Sequence, residues 1–443
     1  MREMLLLGAG ASVEADVPAA IDMTAKIVKG FEEIRYLRPT EWKALSFVIG
    51  GLLMNQGIRE SNPLECGVNV EDLFNAIQTL AHRDSMEALP FIGSWHPRID
   101  ELDREDSMQD VDKMQRDLFK SINETYLAGV PSRFTSMNRG IDQAVREVVD
   151  NSVKRGYSSS TRVGEEVERA FSKYVNEWMR NSGTRFSPSR DAARSFRAAS
   201  EALSNKGKVF DRVAASMVSM LKKHVYVQET SKVKYLQPVS MLADAQGSLT
   251  IATLNYDNCM ELACSASECP YTTGIEHWSR SNTSSDPFTC STGILLLKLH
   301  GSINWIVKSS STKSVLPHHI IELLSDEDMG KDNPHYQPAV IFGQKNKLTA
   351  EGPYLDIFRA FQRELSGSNR LTVAGYSFGD EHINIYLSQW LNADQSRRIR
   401  IIDPSFDRNT RECARMLRDS RSDQVEIVRM RTGEAFEKFW GRK

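Results

Sequence analysis

The chain contains no C-x-x-C pair, so its six cysteines, Cys66, Cys259, Cys264, Cys269, Cys290 and Cys413, lack zinc-ribbon spacing. Scattered reduced thiols are expected in place of metal ligands. No apolar run approaches the roughly 20 residues that span a bilayer. Net charge is nearly absent, with 56 Lys and Arg against 58 Asp and Glu leaving −2, so the chain carries no global nucleic-acid signature. A G-x-x-x-x-G-K-[ST] motif is also missing, which excludes P-loop ATPase chemistry from this chain. Leu5-Leu6-Leu7 is too short an apolar stretch for a signal peptide and reads as a first strand. A cytoplasmic protein without a membrane segment is expected.

What is present is ordinary in bulk and uneven in detail. A length of 443 residues with 40% hydrophobic and 26% charged residues fits a soluble globular protein of two or three domains. Short apolar runs recur at 4–7, 248–254, 294–299, 303–307, 338–342, 370–374, 399–402 and 426–430. Helical spacing separates several of them, as over 21–53 with a new start at Pro39-Thr40-Glu41, from the cap Asn69 to Leu80, and over 381–391. Strands alternating with helices predict an α/β fold with a doubly wound, mostly parallel sheet. Between about 97 and 245 the strand pattern disappears, which predicts a large helical insertion interrupting that sheet. The expected domains are therefore 1–96 and 246–443 as two parts of one α/β domain, with 97–245 inserted between them. Within 154–223 there are fifteen Lys or Arg against seven Asp or Glu, an excess of +8. That excess reads either as a solvated helical face or as a surface for a partner or nucleic acid.

Five strand ends carry small or polar motifs: Gly8-Ala9-Gly10-Ala11-Ser12, Thr253-Leu254-Asn255-Tyr256-Asp257, His300-Gly301-Ser302, Gly375-Tyr376-Ser377 and Asp403. In a parallel sheet such ends converge on one crevice at the carboxyl edge, where ligands bind. Each motif alone also has a plain structural reading. The glycines fit a tight strand-to-helix turn, Asn255 fits a helix cap, and His300 fits a hydrogen-bonded core residue. His382 in Asp380-Glu381-His382 reads either as a group that supports the site from behind or, as the favoured reading, as a surface residue at a helix start.

Together the five motifs resemble the sirtuin-like family of NAD-consuming enzymes, in the branch found in bacterial anti-phage defence. The resemblance covers about 1–80 and 248–430 and implies a Rossmann-like sheet. It implies that Gly8, Ala9, Gly10 and Ser12 cradle the pyrophosphate of NAD. Thr253, Asn255 and Asp257 match the family's Thr-x-Asn-x-Asp motif, and His300 matches its catalytic histidine. Gly375 and Ser377 match a later NAD-binding motif, and Asp403 falls where the family contacts the adenosine ribose. Two features of the protein-deacetylating members are missing. The stretch Asp16-Val17-Pro18-Ala19-Ala20-Ile21 has neither the Phe nor the Arg of their acyl-lysine loop, and their four-cysteine zinc module is absent. No structural zinc is expected, and the departures favour NAD as a substrate that is hydrolysed.

Cleavage of the nicotinamide–ribose bond passes through an oxocarbenium-like state. Asn255 can orient the ribose or a water through its amide. His300 suits a general base, because an imidazole's ordinary pKa lies at about 6.5. Asp257 can accept from the nicotinamide carboxamide. The expected activity is therefore an NAD glycohydrolase that depletes NAD in anti-phage defence. The alternatives are a non-catalytic NAD- or ADP-ribose-binding sensor subunit and an NAD-dependent deacylase or ADP-ribosyltransferase. The resemblance further implies a homo-oligomer and a separate HerA-like ATPase partner. Nucleic acid would be reached only through a partner or the basic insertion.

Overall fold

The computed structural model describes residues 2–58, 67–83, 95–103, 208–278, 286–309, 319–324, 338–340, 353–407 and 422–441, with single positions 86, 105, 106, 413, 416 and 417. Most of the expected insertion at 97–245 lies outside the described residues. Its last part is described, as the helix Lys208–Val225, the 3-10 helix Thr230–Leu236 and the helix Pro238–Gln246. The chain divides into two compact units. One comprises Met1–Gly30, Asn62–Asn75 and Ser216–Lys443, and the other Phe31–Ser61 and Ala76–Ala215.

The first unit is built on a seven-stranded sheet of β1 (Glu3–Leu7), β2 (Ser248–Thr253), β3 (Tyr271–Thr272), β4 (Gly293–Lys298), β8 (Arg370–Ala374), β9 (Arg398–Ile402) and β10 (Val425–Val428). Their order is β10-β9-β8-β1-β2-β4-β3, and every pairing is parallel. From β1 the chain builds outward through β2 and β4 on one side, then returns to build β8, β9 and β10 on the other. The direction therefore reverses between β1 and β8, the kind of position where open α/β sheets bind ligands. Met4, Leu5 and Leu6 of β1 are fully buried, as expected of a parallel strand covered on both faces. Met4, Leu6, Ala252, Leu297, Val373 and Ile401 share one core cluster with Phe361 and Leu387 of the helices Tyr354–Ser366 and Glu381–Ala393. Alternation sends their neighbours to the opposite face, where the helix Pro238–Gln246 packs on β2 and β4 and against the helix Thr432–Trp440.

Polar groups also meet within the sheet, at the middle of β8 and β9. Glu3 is 9% exposed and accepts from Thr372 Oγ1 at 2.5 Å. Arg400 lies 3.8 Å from Glu3, donates to Glu426 at 2.9 Å, and stacks 3.8 Å above the ring of Phe439. The carboxyl edge opens into loops.

Two of the expected strands leave this sheet. β5 (Gly301–Ser309) and β7 (Pro338–Val340) join β6 (His319–Leu323) in a separate antiparallel sheet of order β6-β5-β7. The cause is Gly301 at φ +82, which turns the chain sharply as β4 ends. β3 has two residues, too few to be read from sequence, and β6, with Ile320, Ile321 and Leu323, is not among the expected strands.

The second unit contains the helix Pro39–Ile58 and buries charged groups in pairs. Thr40 Oγ1 donates to Asp106 at 2.9 Å, and Arg212 meets the same carboxylate. Arg83, only 3% exposed, is bonded to Asp103. Among the described residues no helix is long and apolar enough to cross a membrane.

Candidate functional site

The loop after β1 lies hard against the loop after β8. The Gly8 N–H donates to Ala374 O at 2.9 Å, and the Gly10 N–H donates to Gly375 O at 2.8 Å. A Cβ on Gly8 would stand 2.6 Å from the Gly375 carbonyl oxygen, and one on Gly10 would stand 2.8 Å from Gly375 Cα. The glycines expected to admit a phosphate are thus required first by the approach of two backbones. Ala9 is exposed at the start of the 3-10 helix Ala9–Ala15, and Ser377 is exposed beyond Gly375.

Asn255 follows β2, beside β1, and is 9% exposed. Its Nδ2 donates to Gly8 O and to Ser12 Oγ, both at 2.9 Å. Its backbone N–H donates to Thr253 Oγ1 at 3.1 Å. Asn255 therefore does not cap the following helix, Cys259–Ala266, whose N-cap is Asn258. With both amide hydrogens engaged, its carbonyl oxygen is the atom suited to accept from a ligand. Asn255→Ala removes the donor from two groups, one of them buried Ser12, and is expected to cost about 1–3 kcal/mol. Urea unfolding of the two chains measures that difference.

Asp257 is 6% exposed, and its Oδ1 accepts from the Cys259 N–H at 3.0 Å, starting the helix. Cys259 lies beside it. Burial first, and then the Asp257 carboxylate, push the Cys259 thiol up, so it remains protonated and is no nucleophile. A small cavity is lined by Ser12, Thr253, Asn255, Asp257, Cys259 and Glu261, among others.

His300 lies two residues beyond the end of β4 and is 2% exposed. Its Nδ1 lies 3.2 Å from Leu254 O. A carbonyl can only accept, so Nδ1 carries hydrogen and Nε2 bears the lone pair in the neutral ring. The imidazole is thereby tied to the residue next to Asn255. Its ring centroid lies 6.3 Å from that of Tyr256 and 6.3 Å from that of His382. Tyr256 donates to Glu71 at 3.0 Å, and burial pushes its phenol up, so it stays neutral. Asp403 is half-buried at the end of β9, where its Oδ1 accepts from the Ser405 N–H at 2.7 Å.

The structure thus links Gly8, Ser12, Thr253 and Asn255 by direct hydrogen bonds, with His300 bonded one residue away. Gly375 packs against the same turn. Among the described residues no hydrogen bond joins Ser377 or Asp403 to that group. Three neighbours of that group are not assigned to it by the sequence. His382 is half-buried near His300 and is not a bare surface residue. Lys298 and Glu261 form a buried ion pair at 2.6 Å. The available signal for Lys298 is a lone lysine closing an apolar strand two positions before the histidine. Among the described residues no group of three or more His, Cys, Asp or Glu is arranged to hold a metal.

Comparison with known proteins gives a family-model match over part of the chain. Residues 249–424 match the model of the SIR2-like domain, a span that includes β2, β4 and β8 with the loops after them. No curated protein matches. Among solved structures, a Sir2 homologue in complex with NAD shares 16% identity over 50% of this chain and 70% of its own, with a TM-score of 0.29. An ADP-ribose complex of a Sir2 homologue variant shares 15% identity over 52% of this chain and 74% of its own, with a TM-score of 0.30. Likeness at that level carries no assignment, and the family model covers 249–424 alone.

Proposed function

We propose that this chain, which matches the SIR2-like domain model over 249–424, is a sirtuin-like enzyme that cleaves NAD at the nicotinamide–ribose bond. The products are nicotinamide and ADP-ribose. The observation that supports this reading is the Asn255–Ser12 hydrogen bond at the carboxyl edge, with His300 bonded to the adjacent Leu254 carbonyl, beside the strand reversal. In the reaction the C1′–N bond breaks and its electron pair returns to the pyridinium nitrogen, so nicotinamide leaves neutral. Water forms the new C1′–O bond and loses one proton. His300 Nε2 takes that proton, while the Leu254 carbonyl holds the ring through Nδ1. The carbonyl oxygen of Asn255 accepts from the ribose hydroxyl or the water, and the leaving group, a pyridinium until the bond breaks, needs no acid. The turn after β1, with exposed Ala9 ahead of a helical turn, and exposed Ser377 are assigned to the pyrophosphate side. Asp403 is assigned to the adenosine ribose, and Asp257 to the nicotinamide carboxamide through the oxygen that does not cap the helix.

The second reading is a subunit that binds NAD or ADP-ribose without turning it over. It draws on the fact that both Asn255 amide hydrogens and Asp257 Oδ1 already hold the scaffold. Incubating the purified full chain with NAD and measuring free nicotinamide separates the two. Release without an added protein acceptor is expected. Tight ADP-ribose binding with no release, alone and with a HerA-like ATPase partner, leaves the sensor. NAD depletion in anti-phage defence, homo-oligomer assembly and that partner belong to the same proposal.

A further inference from the structure

Four carbonyls of the Thr253–Asp257 loop are fastened to the segment that carries His300. Thr253 O accepts from the Leu299 N–H at 2.9 Å, and Leu254 O from the imidazole. Tyr256 O accepts from the Ile303 N–H at 3.1 Å. Asp257 O accepts from Lys298 Nζ at 2.5 Å. The last bond differs from the rest in kind, because it places an ammonium group where water cannot reach it. Lys298 is 1% exposed, and its counter-charge is Glu261 Oε1 at 2.6 Å, itself 8% exposed. Burying such a pair yields little net stability, since packed apolar side chains of the same volume do as well or better. Stability therefore does not account for it, and geometry does. Lys298 ends the strand that delivers His300 and holds the far end of the loop that carries Asn255.

We infer that Lys298 is a positioning residue for the reaction at Asn255 and His300, with Glu261 only neutralising its charge. The inference rests on the NAD-cleaving reading of this site. The test compares the wild-type full chain with Lys298→Met and Glu261→Gln for kcat and KM of nicotinamide release, ADP-ribose Kd and Tm. Lys298→Met removes the ammonium–carbonyl bond and is expected to lower kcat at least about tenfold, since small misplacements of reacting groups are costly. Glu261→Gln keeps that bond and loses the counter-charge, so Tm falls while kcat stays within about threefold. A kcat that falls in step with Tm in both variants, or a Lys298→Met chain as fast as wild type, overturns the inference. Should Lys298→Met not fold, Lys298→Met/Glu261→Leu removes both charges together and is expected to be folded and slow. A wild-type chain that binds ADP-ribose and releases no nicotinamide refutes the hydrolase reading alone. In that case the double variant is expected to bind ADP-ribose at least about tenfold more weakly and Glu261→Gln within about threefold, and equal affinities overturn the clamp. A wild-type chain that neither cleaves NAD nor binds ADP-ribose overturns both.

Discussion

Replacing His300 with alanine is expected to lower kcat/KM for nicotinamide release by about 10²- to 10⁴-fold, the span associated with losing a general base. The imidazole is 2% exposed and tied through Nδ1 to the Leu254 carbonyl, so its orientation is set by the protein before any ligand arrives. Truncation also costs that hydrogen bond, about 1 kcal/mol, which is too little to unfold a domain of ordinary stability. His300→Gln separates the two effects, because its amide can still donate to Leu254 O and cannot take a proton. Both variants are expected to bind ADP-ribose within about tenfold of wild type and to be catalytically silent. Activity above a tenth of wild type in either one would remove His300 from the chemistry.

Replacing Gly375 with alanine is expected to destabilise the chain by about 3 kcal/mol or more. Its φ of +61 lies in the left-handed region, which costs an L-residue about 1–2 kcal/mol. The added Cβ would also stand 2.1 Å from Ala11 N and 2.3 Å from Gly10 C, both backbone atoms with no rotamer to escape through. Overpacking of that kind adds about 1–3 kcal/mol. Gly247 provides the control, with φ +77 and open space for 4 Å around the position a Cβ would take. Gly247→Ala should therefore show only the conformational cost, about 1–2 kcal/mol. Chemical denaturation of both variants compares them directly, and equal losses would mean that the turns after β1 and β8 do not interlock.

Much of the sheet is legible because parallel strands buried on both faces are written as unbroken apolar runs. Met4 to Leu7 and Ile294 to Leu297 are such runs, each followed by a small or polar residue, while Ile399 to Ile402 is interrupted by the buried Arg400. The helix Val70–Ala81 is legible from its cap, and the Asn69 side chain does accept from the Glu71 N–H at 2.8 Å. What cannot be read is pairing at a distance. Nothing local in Gly375 names Gly10 as the backbone it must touch. Nothing in Lys298 names Glu261, because a lysine ending a strand ordinarily reaches solvent. Asn255 shows the same limit, since its sequence neighbours suit a helix cap and its partners, Gly8 and Ser12, come from the other end of the chain. His382 reads as a surface residue because a helix start is usually at the surface, whereas this helix begins close to His300.

The position of β1 also has a consequence on the ribosome. Its two neighbours in the sheet are residues 248–253 and 370–374, so the earliest strand to be made is the centre of a sheet completed last. At about 5–20 residues per second, Leu5-Leu6-Leu7 waits roughly 20–75 seconds between emerging and meeting its second partner. During that interval the strand has free edges and an apolar surface, the features that recruit other nascent chains. Synthesis that stops before residue 370 leaves it in that condition permanently, so premature termination should yield aggregates and chaperone-bound fragments and no shortened working protein.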